Sequence, residues 1–424
     1  MAFPKVLVVG INPWVDNTGI NTLINFFESW DKERIAHIYT RDGLPNTHIC
    51  DSFFRISEPK VLRSVVKRST KTGEVVYNTP SSENKKNALY TKKNSSLKQL
   101  CRELVWTIGK WKTKELDSFV ESFDPDVLFF PVYSNAYMCR LQNYIAEKTG
   151  KPVILYSSDD NYSYKSVAKT PFSLMHRFWL RLQEKKLFKR ASKVMVISPK
   201  QKEEYDRIFA KNCAVLTKGV DFSKHPFEEK PLGNPIRMVY TGKLIIGRWR
   251  SLAAIAEALG KINADGIRME LDIYTTDTVT EEQARLLNRN GSSVKGALTL
   301  SEVQDVQREA DILVFVESLE NKYKNTARLS FSTKITDYLK SGKCIFAIGD
   351  AGIAPIDYFL RYDSALTATS YRDIGEKLQL LADSPELVTE YSRKAYECGR
   401  ANHDKALTDE ILIKTITDVC KWNV

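Results

Sequence analysis

No stretch of eighteen consecutive apolar residues occurs in the 424 residues, which excludes a helix built to cross a bilayer. The opening apolar run, Lys5 to Gly10, is too short for a signal-peptide core, and no cleavage site follows it. The chain is therefore expected in the cytoplasm. Cysteine is sparse: seven residues, an odd number, widely spaced, with no Cys-x-x-Cys. A disulfide framework is excluded and reduced thiols are expected. Five scattered histidines show no metal-ligand spacing, so no structural zinc is expected. The Gly-x-Gly-x-x-Gly fingerprint of dinucleotide folds is missing as well.

What is present is charge of one sign in one place. The net charge is +11, and the window Arg55–Lys114 alone holds fifteen Lys and Arg against four Asp and Glu. A local basic patch points to an anionic partner: nucleic acid, a membrane surface or a phosphorylated substrate. Ser57–Tyr90 inside it is polar with few apolar anchors and reads as a loop. After it, Leu97, Leu100, Cys101, Leu104, Val105, Ile108 and Trp111 recur at helical spacing.

Elsewhere short β-rich runs alternate with helical patterns. In the first half they are Lys5–Gly10, Arg34–Thr40, Asp126–Val132, Pro152–Ser158, Lys193–Ser198 and Cys213–Gly219. In the second half they are Ile236–Gly242, Met269–Thr275, Asp311–Ser318, Lys343–Gly349 and a weaker Ala365–Thr369. Continuous apolar runs mean strands buried on both faces, and intervening helices mean right-handed crossovers. The fold class is α/β, with two doubly wound Rossmann-like domains. Three prolines, a glycine and charges at Phe222–Pro235 mark the linker. The first domain is expected over 1–225 (basic segment 55–114), the second over 236–400, and a C-terminal helix over 401–424. Strand C-termini should face a cleft.

The stretch "SFSTKITDYLKSG", from Ser330, carries the sharpest chemical signal. Ser332 or Thr333 can cap a helix that Gly342 ends. Lys334 and Asp337 share one face of it. A lysine there opposes the helix dipole, and a bound phosphate resolves the conflict by resting on free N–H groups. Asp337 would then reach ribose hydroxyls. The plainer alternative is an amphipathic helix with a surface lysine. A second basic turn, "YTGKLIIGRWRS", sets Lys243, Arg248 and Arg250 at a strand end, with Gly242 among them. It reads as a diphosphate clamp, or else as a solvated loop. After the first strand, Asn17, Thr18 and Gly19 could present N–H groups to a ligand. Asp159 and Asp160 end the fourth run, either to orient sugar hydroxyls or to begin a turn. Asp-Pro-Asp at Asp124–Asp126 resembles a metal-binding Asp-x-Asp, but its proline and following strand favour strand entry.

These segments, in order, resemble the family-4 glycosyltransferases of the GT-B fold. "KRASKVMVISPKQKEEY" is similar to the family's Ala-Asp-x-Val-Ile-x-x-Ser segment. "LTKGVDFSKHPF" is similar to its Asn-Gly-Val-Asp turn, with Lys218 for Asn. "VYTGKLIIGRWRS" is similar to its diphosphate loop, with Lys243 for arginine and Arg248 for lysine. The Ser-Thr-Lys stretch from Ser330 takes the place of the Glu-x(7)-Glu motif and resembles that of bacterial capsule and O-antigen glycosyltransferases. Asp337 stands at the second glutamate, the ribose contact, and Leu329 at the first, the sugar contact. Glu317, Glu320 and Arg328 are the candidates for that missing contact.

The resemblance implies C-terminal helices that cross back to the first domain. It also implies retaining transfer from a UDP- or GDP-type sugar, without metal or resident cofactor. Lys243, Arg248 and Lys334 would stabilise the departing diphosphate, and Gly242, Arg250, Ser332, Thr333 and Gly19 would help hold the donor. The acceptor is expected to be a glycan, polyprenyl-diphosphate-linked, in surface polysaccharide synthesis. The basic window, with Trp106 and Trp111, is expected to dock on the inner face of the plasma membrane; the alternative makes both tryptophans core. Rival functions are an inactive GT-B partner subunit, favoured by the missing glutamate, and a GT-B sugar-nucleotide 2-epimerase, for which no acid/base histidine is placed. A nucleic-acid binder is not expected, because no motif accompanies the basic pI of 9.1.

Overall fold

A computed structural model describes residues 3–16, 22–79 and 96–421. The chain divides into two units. The first comprises Met1–Ile197, Gln201–Thr217 and Thr408–Val424; the second comprises Ser198–Lys200 and Lys218–Leu407.

The first unit holds strands β1 (Val6–Val9), β2 (Ile35–Tyr39), β3 (Ser52–Ile56), β4 (Gly73–Val76), β5 (Val127–Pro131), β6 (Val153–Ser157), β7 (Lys193–Val196) and β8 (Ala214–Val215). They form one sheet in the order β4-β3-β2-β1-β5-β6-β7-β8. Every pair is parallel except β3 with β4. The second unit holds β9 (Ile236–Thr241), β10 (Met269–Tyr274), β11 (Ser292–Gly296), β12 (Ile312–Val316), β13 (Cys344–Ile348) and β14 (Leu366–Ala368). This sheet is wholly parallel, in the order β11-β10-β9-β12-β13-β14. Strand order reverses beside β1 in one unit and beside β9 in the other, the doubly wound arrangement. The continuous apolar runs behave as expected: β1, β2, β5, β6, β12 and β13 are buried at every residue.

Three readings of the basic window need correction. Ser57–Tyr90 is no plain loop, because its described part contains the helix Glu58–Val66 and strand β4. Its apolar anchors are few because β4 is a four-residue edge strand and the helix buries only Val61 and Ser64. Trp106 and Trp111 are 1% and 6% exposed, so neither presents a ring to a membrane. Trp106 stacks on Tyr137 at 4.4 Å, and the Trp111 indole N–H donates to the Trp106 carbonyl. Several of the window's cations are also spent inside the fold. Arg102 pairs with Glu58 at 2.9 Å, while Arg55 and Lys60 share Glu74.

All seven cysteines are unpaired, and five are buried. No described helix is long and apolar enough to cross a membrane. The C-terminal pattern resolves into helices Glu386–His403 and Lys405–Lys421 with Asp404 between them. The second buries Leu412 and Ile416, and the Ser29 hydroxyl donates to Asp409 at 2.6 Å within the first unit.

Candidate active site

The site assembles at the C-terminal ends of β9 and β12 in the second unit. After β9 the chain turns sharply. The Tyr240 hydroxyl donates to the Lys243 carbonyl at 2.6 Å, and the Leu244 N–H donates to Asp277 at 2.6 Å. Ile246 and Gly247 both take positive φ, 59° and 73°, before the helix Arg248–Ile262 begins. A Cβ on Gly247 would run into the Glu320 carboxylate, the Ser318 hydroxyl and the Tyr323 ring. Glycine is needed here for both space and φ. Gly247→Ala is expected to cost about 2 kcal/mol in urea unfolding. Gly375→Ala, mid-helix with nothing near its added methyl, is the control and should stabilise slightly.

Arg248 is the first residue of that helix, and no acid occupies its first turn. A cation there works against the helix dipole. Glu317, just past β12, answers it with a bidentate fork. Arg248 Nε donates to Glu317 at 3.1 Å, and Nη2 reaches both carboxylate oxygens at 2.8 and 2.9 Å. Burial pushes the Glu317 carboxyl up, and the Arg248 charge pulls it partly back. Arg250 leans on Trp249 and pairs with Glu320 at 2.8 Å; Lys322 shares that carboxylate at 3.3 Å.

The helix Thr333–Lys340 starts beside this pair. Ser332 is its N-cap, accepting from the Lys334 N–H, and Thr333 is its first residue. The Lys334 ammonium crosses to β9 and donates to the Thr241 carbonyl at 2.7 Å. It passes 2.8 Å from where a Cβ on Gly242 would stand, as does the Tyr240 hydroxyl, so a side chain there would have to displace both. Lys334 is exposed overall, yet desolvation of its ammonium, then the like charge of Arg248, hold its pKa below the usual lysine value. A cavity of about 230 Å³ opens here, lined by Arg248, Glu317, Ser318, Tyr323, Lys324 and Ser332 among others.

Other sequence-derived candidates fall elsewhere. Lys243 lies on the same turn with an exposed side chain. Asp337 is bound by Lys218 at 2.9 Å, with Lys340 farther off at 3.9 Å. Lys218 is the residue standing at the resemblance's asparagine. Leu329 is fully buried, so a carboxylate in its place would sit in the core and not in the cavity. Arg328 is 7% exposed, and its carbonyl accepts from the Ala354 N–H. In the first unit, Asp160 is buried and begins a turn by accepting from the Ser163 N–H at 3.0 Å; Asp159 is exposed. Asp126 ties strand entry together by accepting from the Lys5 N–H. Asn17, Thr18 and Gly19 lie outside the described residues.

Sequence reasoning passed over the Thr241 carbonyl, Tyr323 and Lys324. The polar run after β12 was the available signal for the last two. Lys324 pairs with Asp350 at 2.7 Å, closing one side of the cavity.

No family model matches the chain, and no curated protein matches it. Several solved structures do. HepE of Anabaena, in complex with UDP, is 12% identical at TM-score 0.62, over 98% of this chain and all of that one. Sucrose-phosphate synthase from Thermosynechococcus elongatus is 10% identical at TM-score 0.62, over 98% of each chain. α,α-Trehalose 6-phosphate synthase from Burkholderia multivorans is 10% identical at TM-score 0.59, over 99% of this chain and 98% of that one. The likeness, end to end, is one of fold: two Rossmann-like units of the GT-B type.

Proposed function

We propose that the protein is a glycosyltransferase that takes its sugar from a UDP- or GDP-type nucleotide sugar held by the second unit. One observation carries this reading. Two helices begin at adjacent strand ends, neither has an acid in its first turn, and each has a base there instead, Arg248 and Lys334. An arginine and an ammonium beside one cavity make a receptor for a diphosphate. The similar structures support the donor class: HepE is described with UDP, with UDP and glucose, and with UDP-glucose.

The chemistry follows from what each group can hold. The Glu317 fork uses Nε and Nη2 of Arg248, and Nη1 lies outside it. Arg248 is thereby aimed while keeping a donor for phosphate. Lys334 and Lys243 add positive charge where negative charge gathers on the leaving diphosphate. Glu317, buried and forked by a guanidinium, is a poor nucleophile. The acceptor hydroxyl bonds to the anomeric carbon on the face from which the diphosphate leaves, the sugar–diphosphate bond breaks, and the departing diphosphate oxygen takes the hydroxyl proton, which gives retention. These residues supply the charge that neutralises the departing diphosphate. Asp337, steered by Lys218, is assigned to the ribose. The acceptor is a glycan on a polyprenyl diphosphate in surface polysaccharide synthesis, met by the protein at the inner face of the plasma membrane.

The test is a donor screen with UDP-, GDP- and dTDP-sugars, reading free nucleotide, with Asp337→Ala alongside. Release from one donor, reduced about tenfold or more in the variant, is expected. Failure of every nucleotide to raise the melting temperature, together with no release, would sink the reading.

A further inference from the structure

The Pro171–Arg190 helix of the first unit is apolar on two sides. Its inner face buries Ser173, His176, Leu180, Glu184 and Leu187. At 3.6 residues per turn, Met175, Phe178 and Leu182 lie on the opposite side, with Phe172 and Leu174 on its two flanks. Their exposure runs from 40% at Leu174 to 57% at Phe178. The last turns of that outer face are different: Lys185, Lys186, Lys189 and Arg190 are all exposed. One outward face is thus apolar for its first half and cationic for its second.

The neighbouring Ser96–Ile108 helix packs against it and repeats the pattern. Leu97, Leu104 and Ile108 are each half-exposed, at spacings that place them on one stripe. Each helix contains a single carboxylate, Glu103 in one and Glu184 in the other, and both are 0% exposed. Neither helix shows water a negative charge.

We infer that this two-helix face docks on an anionic lipid surface, the apolar half entering the headgroup layer and the lysine half resting on its charge. The composition selects this occupant over others. An apolar helical face flanked by Lys185, Lys186 and Lys189, with no exposed acid on either helix, matches the electrostatics and depth of an anionic interface, although Arg190 is paired with Glu147 of the adjoining helix at 3.0 Å. A second copy of the chain, meeting through the same patch, would set the lysine half against lysines if the helices run parallel, or against apolar side chains if they run antiparallel. A protein partner would meet a patch with none of the mixed polar groups that fix register at such contacts. This surface replaces Trp106 and Trp111 as the membrane contact. The docking itself needs only these helices; that it serves a lipid-linked acceptor rests on the reading above.

The experiment is flotation of the full chain with phosphatidylcholine vesicles, with and without phosphatidylglycerol, at low and high salt. Binding is expected only with the anionic lipid at low salt. Met175→Asp with Phe178→Asp should weaken it about tenfold or more. Lys185→Glu with Lys189→Glu should abolish the preference for anionic lipid. All four positions are exposed, so melting temperatures should stay as in the wild type. Nucleotide release without vesicles should also be unchanged. Absence of wild-type binding, or variants that bind as the wild type does, overturns the inference. So does a wild-type dimer, by sedimentation velocity, that Phe178→Asp dissolves. Vesicle binding that persists in a protein with no donor turnover would instead remove the enzymatic reading and leave the docking intact.

Discussion

Arg248→Ala is expected to cost more stability than any other single change in the second unit's cavity, and to cost it in a pH-dependent way. Glu317 is 8% exposed, and its carboxylate is balanced by the Arg248 fork. Removing the guanidinium leaves a buried carboxylate with no partner in the fork, worth about 3 kcal/mol. Glu317 already has a raised pKa, and loss of Arg248 raises it further. An acid raised in the native state costs nothing below its unfolded pKa, and the penalty grows as pH climbs towards the folded value. The variant should therefore melt near wild type under mildly acidic conditions and fall behind as pH rises.

Arg248→Met with Glu317→Gln removes both charges and should recover most of the stability. It should not recover donor turnover, expected to fall about a hundredfold or more in both variants if Arg248 touches the leaving diphosphate. Chemical unfolding at two pH values, paired with nucleotide release, separates the two roles. Arg248→Ala as stable as wild type in alkaline buffer would show that the fork does not matter. A double variant with restored turnover would show that Arg248 does not meet the diphosphate.

The fold was largely legible because parallel strands buried on both faces announce themselves as unbroken apolar runs. Eleven such runs match eleven of the strands. The other three were hidden for two different reasons. β4 and β11 are sheet edges, and "GEVV" and "SSVKG" carry the polar, short signature of edges. β3, "SFFRI", has its short apolar run broken by the half-buried Arg55, where the basic window begins. At the site, position was readable where chemistry is local. Ser332 as cap and Lys334 at the first turn follow from spacing alone. Partners distant in sequence were not readable. Nothing in "GRWRS" says that Arg248 would be forked by Glu317, sixty-nine residues away, or that Lys218 would hold Asp337. Those pairs depend on which strand ends the sheet order brings together.

The second large effect lies in the first unit and concerns Glu184. Its helix buries it completely, and neither carboxylate oxygen has a hydrogen-bond partner. Desolvation is the dominant influence and drives its pKa from 4.5 to about 8. Arg177 and Arg181 on its own helix oppose the rise, and Asp160, from the loop after β6, adds to it. Tyr205 and Cys139, from two neighbouring helices, are close enough for the Glu184 charge to raise their own pKa values.

The pH dependence has a definite sign. Below pH 4.5 both folded and unfolded chains carry the proton, and Glu184 costs nothing. Between 4.5 and about 8 the unfolded chain has released it and the native chain has not, so stability falls as pH rises. At about 1.4 kcal/mol per pH unit, the loss across that window is on the order of 5 kcal/mol. Glu184→Gln keeps the shape and removes the proton equilibrium. Its amide also lacks partners, so it need not be more stable than wild type in acid. What it should change is the slope. Wild-type unfolding free energy should decline from pH 5 to pH 8 by a few kcal/mol more than that of the variant. Equal slopes would mean that Glu184 is ionised in the native protein, with Arg177 and Arg181 outweighing its burial.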